Sequence, residues 1–250
     1  NSSTIEVNGS TQLNAGATGN ITFDNTGHEF DGAIIVVNAQ DVTLANESES
    51  DGAIYVASAR DLTLSDNGSI VIGGSGSAPV ISRDLSITAT GITDDGAFTV
   101  NGTTSLTAGT GAIALDADHN FQSAVTVVSA SQLTLRDTVG DLALGTVTIT
   151  GTGDANQITA TAGAVTQAAS NAITITGTNS ASGNLTVNAQ SINLQNISTA
   201  GVNNYNGGTI ILDASAGNIT TGSITTSGGT ADGGNAGSDA GAITLSATGA

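Results

Sequence analysis

The sequence predicts an all-β parallel solenoid with about 20 residues in each turn. Three observations carry that reading. A fourteen-residue phrase occurs twice, as DGAIIVVNAQDVTL at 31–44 and DGAIYVASARDLTL at 51–64, with nine identical positions at a spacing of 20. Apolar residues alternate with polar ones in short runs, the period of a strand with one buried face. Gly, Asn and Asp separate the runs and supply the positive-φ residues that tight corners need. Self-similarity at a fixed short period is the mark of a repeat architecture, in which each unit buries its apolar face against its neighbours.

The strands follow from i, i+2 apolar pairs, among them Val42/Leu44, Leu62/Leu64, Leu85/Ile87, Val125/Val127, Leu133/Leu135, Val147/Ile149, Ile173/Ile175 and Leu185/Val187. Their outward neighbours are mostly Thr, Ser and Asn, and Thr suits an exposed strand face. The Gly-Ala-Ile opening of the phrase returns in looser form, with starts at 32, 52, 111, 171, 208 and 241 and gaps of 20, 59, 60, 37 and 33. Two of these gaps are close to three turns. The last one holds a loop at 228–240, and loop insertions are expected after residue 200. Leu44 and Leu64, and likewise Ile34 and Ile54, should occupy equivalent core positions one turn apart. Two or three strands per turn enclose a narrow axis that admits Ala, Val and Ile, and the chain has no Trp. No segment keeps a 3.6-residue period, so no helix is expected. At about 20 residues per turn the chain makes about 12 turns, a rod of roughly 55–60 Å at ~4.8 Å per turn. An antiparallel sandwich is the alternative, but Asn-Gly, as at 8–9, 67–68 and 101–102, occurs too seldom to close every hairpin.

Composition excludes several function classes. The net charge is −18, there is no Lys, and Arg60, Arg83 and Arg136 stand alone, which argues against nucleic acid. The longest aliphatic run, Ile34 to Val37, is far short of a membrane span. With no Cys there are no disulfides and no thiolate metal sites. Asn1 is not an initiator Met and no signal-peptide pattern follows it, so a processed form or a segment of a longer chain is expected. Eighteen of the 21 acids precede residue 160, yet the apolar periodicity runs through both halves and residues 1–250 read as one continuous rod.

The phrases Gly217–Gly229 (GNITTGSITTSGG) and Gly241–Ala247 (GAITLSA) resemble the repeats of filamentous-haemagglutinin-like large exoproteins, the giant surface adhesins of bacteria. The resemblance covers most of the chain and is strongest from residue 140 onward. It implies a right-handed parallel β-helix, export across the outer membrane, and a role in attachment or in a surface filament. The secretion module of that family carries Asn-Pro motifs. None occurs here, so the resemblance points to rod and not to secretion module.

Candidate sites are few. Asp94-Asp95 resembles half of a carboxylate pair, but with Arg83 the only nearby Arg and no Tyr or Trp close in sequence it reads as a solvated turn. His119, after Asp116-Ala117-Asp118, and His28, beside Glu29 and Asp31, read as corner residues. Gly233–Asp239 approaches the Gly-Gly-x-Gly-x-Asp calcium repeat, but it is one residue out of register and has no tandem copy. Weak calcium binding by Glu47, Glu49, Asp51 and Asp66 is a separate expectation. Thr148/Thr150, Thr159/Thr161 and Thr174/Thr176 suggest an ice-binding array, set aside because the pairs do not recur at one position in successive turns. No catalytic residue, metal ligand or cofactor is assigned. The expectation is therefore an extracellular structural or adhesive solenoid, a stalk or filament component at a bacterial cell surface. Its partners would be neighbouring segments of the same long chain, copies stacked end to end, or a host or neighbouring-cell surface, without nucleic acid or membrane insertion. A carbohydrate-active β-helix enzyme (lyase or glycoside hydrolase) is one alternative. A binding module using loops 201–208 and 228–241 is the other.

Overall fold

The computed structural model describes residues 3–47, 52–73, 78–151, 155–178, 180–230 and 238–249; these contain strands and no helix. All strand pairings are parallel, and they build two long sheets. Sheet I runs through eleven strands from Thr11–Asn14 to Ile243–Ala247, and sheet II through ten from Ile21–Phe23 to Ile219–Thr221. The chain passes from one to the other in every turn, so each strand bonds to the strand one turn before and one turn after.

The repeated phrase sets the register. Ile34 lies beside Ile54 in sheet I, and Leu44 beside Leu64 in sheet II, as the 20-residue spacing requires. Val42, Leu62 and Leu85 form one inward column, and Leu44, Leu64 and Ile87 the next; all six are buried. Glycine at the head of the phrase has a steric cause. A Cβ on Gly52 would strike the carbonyl of Gly32, and one on Gly241 the carbonyl of Gly208, because these residues stack directly on one another.

The 20-residue period does not hold throughout. Ile34 to Ile54 and Ile113 to Leu133 are steps of 20, but Ile158 to Val187 takes 29, Val187 to Leu212 takes 25, and Leu212 to Leu245 takes 33. The solenoid therefore has about nine turns, not twelve. The ten steps between the eleven strands of sheet I, at ~4.8 Å each, give roughly 48 Å of rod. The lengthening also begins before residue 200, with the segment at 177–184 ahead of Leu185–Ala189. One copy of the phrase is misleading. Ala172–Thr176 does not join sheet I with the others but continues from Leu142–Thr150 on the sheet II side.

Nor do three sheets run the full length. A short third face appears at one corner and then at the other. It begins where sheet II returns to sheet I, as Glu6–Val7 paired with Glu29–Phe30. It then moves to the opposite corner as Ser58–Ala59, Val80–Ile81, Thr99–Val100 and the end of Ala112–Phe121. It finally returns to the first corner as Ala172–Thr176, Asn196–Ser198 and Ile224–Thr225.

The outer face of sheet II corrects a second expectation. Thr148 lies beside Thr174, and Thr150 beside Thr176, in adjacent turns. A longer column runs Thr22, Thr43, Thr63, Ser86, Ser105 and Thr126, one hydroxyl per turn over six turns. Beside it runs Ser65, Thr88, Thr107 and Ser129. Sheet I has no such column: its outward series Gln12, Ile35 and Tyr55 is mixed.

Leu64 is 1% exposed, whereas its neighbour Thr63 faces outward. Leu64→Asp is expected to cost about 3 kcal/mol or more, since a carboxylate would enter an apolar column without a partner. Thr63→Asp is expected to stay within about 1 kcal/mol of the wild type. Denaturant unfolding of both variants checks this, and equal losses would show that the inward assignment is wrong.

Candidate functional site

A parallel ladder leaves one edge of its last strand without a partner, and a buried backbone N–H without an acceptor is costly. Each time the third face ends, that problem arises inside the rod. The titratable cluster of this protein is built around the solution.

The third face that starts at Ser58–Ala59 ends with Asn120–Phe121, which pairs with Thr99–Val100 in the preceding turn. The N–H of Phe121 donates to Asp137 Oδ2 at 2.8 Å, and the N–H of Val139 donates to Oδ1 of the same carboxylate at 2.8 Å. The Asp137 side chain thus takes the place of the missing strand. One turn back, the N–H of Phe98 donates to Nδ1 of His119 at 3.3 Å. His119 packs against Phe98 and Phe121, with ring centroids 4.1 and 5.6 Å away. Its Nε2 makes no hydrogen bond of good geometry and lies 3.5 Å from Asp94 Oδ1. That Asp94 oxygen accepts the N–H of Asp116 at 2.9 Å. His119 and Asp137 are fully buried.

The same device closes the first third face. Among the described residues Glu29–Phe30 pairs only with Glu6–Val7. The N–H of Phe30 donates to Asn46 Oδ1 at 2.8 Å, and the N–H of Ile5 donates to Nδ1 of His28 at 3.1 Å. His28 is fully buried, and its Nε2 has no hydrogen-bond partner among the described residues. Asn46 Nδ2 donates in turn to Asp66 Oδ2 at 2.8 Å. In both places the signature is His-x-Phe followed, 16 residues after the Phe, by Asn or Asp. It was legible in the sequence once one knew to compare 28–46 with 119–137.

The two caps differ in charge. Burial pushes the Asp137 carboxyl above the usual range, against two amide bonds that pull it down. Burial pushes His119 below the usual imidazole value, and the nearby Asp94, Asp116 and Asp118 oppose that shift without reversing it. A neutral His119 with its proton on Nε2 is also what an Nδ1 acceptor demands.

The remaining candidates fall apart spatially. Asp94 is no solvated turn residue: its side chain is 4% exposed and turned inward to His119. Asp95 faces outward, and its Oδ2 accepts the Tyr55 hydroxyl at 3.0 Å, so an aromatic is near after all, from 40 residues away. The two carboxylates therefore do not converge on a common groove. Arg83 pairs with Asp61 at 3.1 Å, and Arg60 grips Asp41 through two bonds of 2.6 and 2.8 Å. A shallow groove of about 470 Å³ lies beside Arg60, lined by Ala39, Gln40, Ser58, Val80 and Ser82, where the cross-section widens to admit the third face. The late loops hold each other: Gly229 N–H donates to the Tyr205 carbonyl at 2.9 Å, and Asp239 N–H to Asn206 Oδ1 at 3.0 Å. Glu49, Asp51 and 233–237 of the calcium-like stretch lie outside the described residues. Among the described residues no three His, Cys, Asp or Glu side chains come together as metal ligands.

A family model described as repeats of unknown function (DUF5649) matches residues 1–37 and 59–128. Each matched segment contains one His-x-Phe plug, His28–Phe30 in the first and His119–Phe121 in the second. No curated protein and no solved structure matches the chain.

Asp137→Ala, which leaves the buried Phe121 N–H and the partly buried Val139 N–H without their acceptor, is expected to cost about 1–3 kcal/mol. Asp137→Asn keeps an oxygen for Phe121, as Asn46 does for Phe30, and should cost less. Because the folded state raises the Asp137 proton affinity, its contribution to stability is present below about pH 4 and is lost as pH rises through the folded value. The Asn variant should lack that decline. Urea titrations across acid and neutral pH, comparing both variants with the wild type, provide the check.

Proposed function

We propose that this β-solenoid repeat protein is a rod segment of an extracellular bacterial surface adhesin, serving as stalk or filament and making contact along the outer face of sheet II. The observation that carries this reading is the column Thr22, Thr43, Thr63, Ser86, Ser105 and Thr126, an uncharged hydroxyl strip held in register over six turns. A surface of this kind offers many weak, identical contacts whose sum depends on simultaneous engagement. The resemblance of Gly217–Gly229 and Gly241–Ala247 to exoprotein repeats supports the same reading.

The charge distribution fits a rod that meets others at defined places. Acidic residues before 160 oppose side-by-side clumping, and salt weakens that repulsion. Lateral contact then falls to the nearly neutral second half or is bridged by divalent cations. The reading uses no cofactor.

Two experiments test the proposal. Antibody raised against the chain is expected to label intact producing cells; labelling that requires permeabilisation would overturn the extracellular assignment. Beads coated with the chain are expected to bind host or neighbouring cells above beads coated with Thr43→Asp/Thr63→Asp protein, which places two charges in the hydroxyl column. Equal binding by the two coatings would overturn the role of that face.

A further inference from the structure

The histidine corners carry a consequence beyond capping. In both, the imidazole accepts a backbone N–H at Nδ1, from Phe98 at 3.3 Å and from Ile5 at 3.1 Å. The His119 ring is therefore neutral and carries its one proton on Nε2. The next proton has only Nδ1 to occupy, where it would face a second donor inside a fully buried site. We propose that His119 is an acid-operated latch: a proton taken up at Nδ1 displaces the N–H of Phe98 and frees the corner strand beneath, while sheets I and II stay paired.

The partial character of the opening follows from the ladder. Thr99–Val100 and Asn120–Phe121 form a two-residue step at the corner, so few bonds hold it apart from the histidine and Asp137. Thr104–Thr107 and Val125–Ala130 in sheet II stay in register independently of the ring. The charges around His119 come from every side. Asp94 stands 3.5 Å from Nε2 in the preceding turn, Asp116 and Asp118 lie on its own strand, and Asp137 is its register partner in the following turn. Arg136 neutralises Asp118 at 2.9 Å.

The sign of the pH effect follows from burial, which lowers the proton affinity of His119 in the folded state. The folded chain then binds fewer protons than the unfolded one. The stability held by this corner is complete above about pH 6.5 and is lost as pH falls through the folded value.

Residue-resolved amide exchange of the whole chain, at about pH 7.5 and about pH 5, tests the latch. After correction for intrinsic exchange, protection at Phe98 is expected to fall at least ~tenfold in acid, with Leu106 and Val127 unchanged. His119→Asn keeps an acceptor close to Nδ1 and does not titrate, so its Phe98 amide should stay protected in acid. An equal loss at Phe98 in that variant would assign the acid response to a carboxylate such as Asp137 and overturn the latch. So would an unchanged wild type, or a loss spread evenly over Leu106 and Val127. Should His119→Asn not fold, ring-nitrogen shifts of the wild type decide the matter. A His119 protonated at Nδ1 beside a still-protected Phe98 amide overturns the proposal, and protonation together with loss of protection supports it.

Discussion

Every strand in this protein depends on a strand one turn away, because a parallel ladder places each backbone donor opposite an acceptor in the next layer. Within sheets I and II the condition is met mostly by repetition: Val42, Leu62 and Leu85 stack because their strands must pair in register. The condition becomes demanding where the cross-section changes. A corner strand that has no successor leaves donors inside the rod, and side chains must then stand in for backbone. Asn46 and Asp137 do this for Phe30 and Phe121. The buried histidines, the aromatic clusters and the perturbed carboxyl of Asp137 all belong to those two sites, so this part of the polar interior is a product of changing shape.

The same ladder organises the outside. A register that aligns inward leucines also aligns the residues between them, so a preference for Thr and Ser at outward positions becomes a straight column without further design. Asp41 and Asp61 show the opposite side of this rule. The ladder sets these like charges beside one another, and Arg60 and Arg83 are drawn between the acidic rows. Three basic residues in 250 suffice because two of them sit where like charges are forced together.

Much of the fold was legible in the sequence, since alternation and a 20-residue repeat are direct consequences of strand geometry and stacking. Leu44 with Leu64 and Ile34 with Ile54 could be paired before any coordinates were known. The turn count could not, because a loop adds residues without adding a layer: the 29 residues from Ile158 to Val187 climb one step. The phrase at Ala172–Thr176 misled for a related reason, since both sheets ask for the same Ile-Thr-Ile alternation and the pattern does not say which sheet a strand joins. The site was least legible. Asp94 and Asp95 are adjacent and chemically identical, yet opposite faces of one strand end send them to His119 and Tyr55. Sequence position also hides that residues 98, 119 and 137 are neighbours, because the relevant distance is measured in turns.

The long steps of the second half bear on extensibility. When a solenoid is pulled along its axis, layers peel away and each detached turn becomes free contour length. Loss of the 33-residue step from Leu212 to Leu245 would release roughly 110 Å of chain at full extension, whereas that layer contributes roughly 5 Å to the intact rod. The 20-residue turns near Ile34 would release roughly 65 Å each. The end rich in loops is thus the more compliant part of the molecule under tension, with slack stored in segments that add nothing to its resting height.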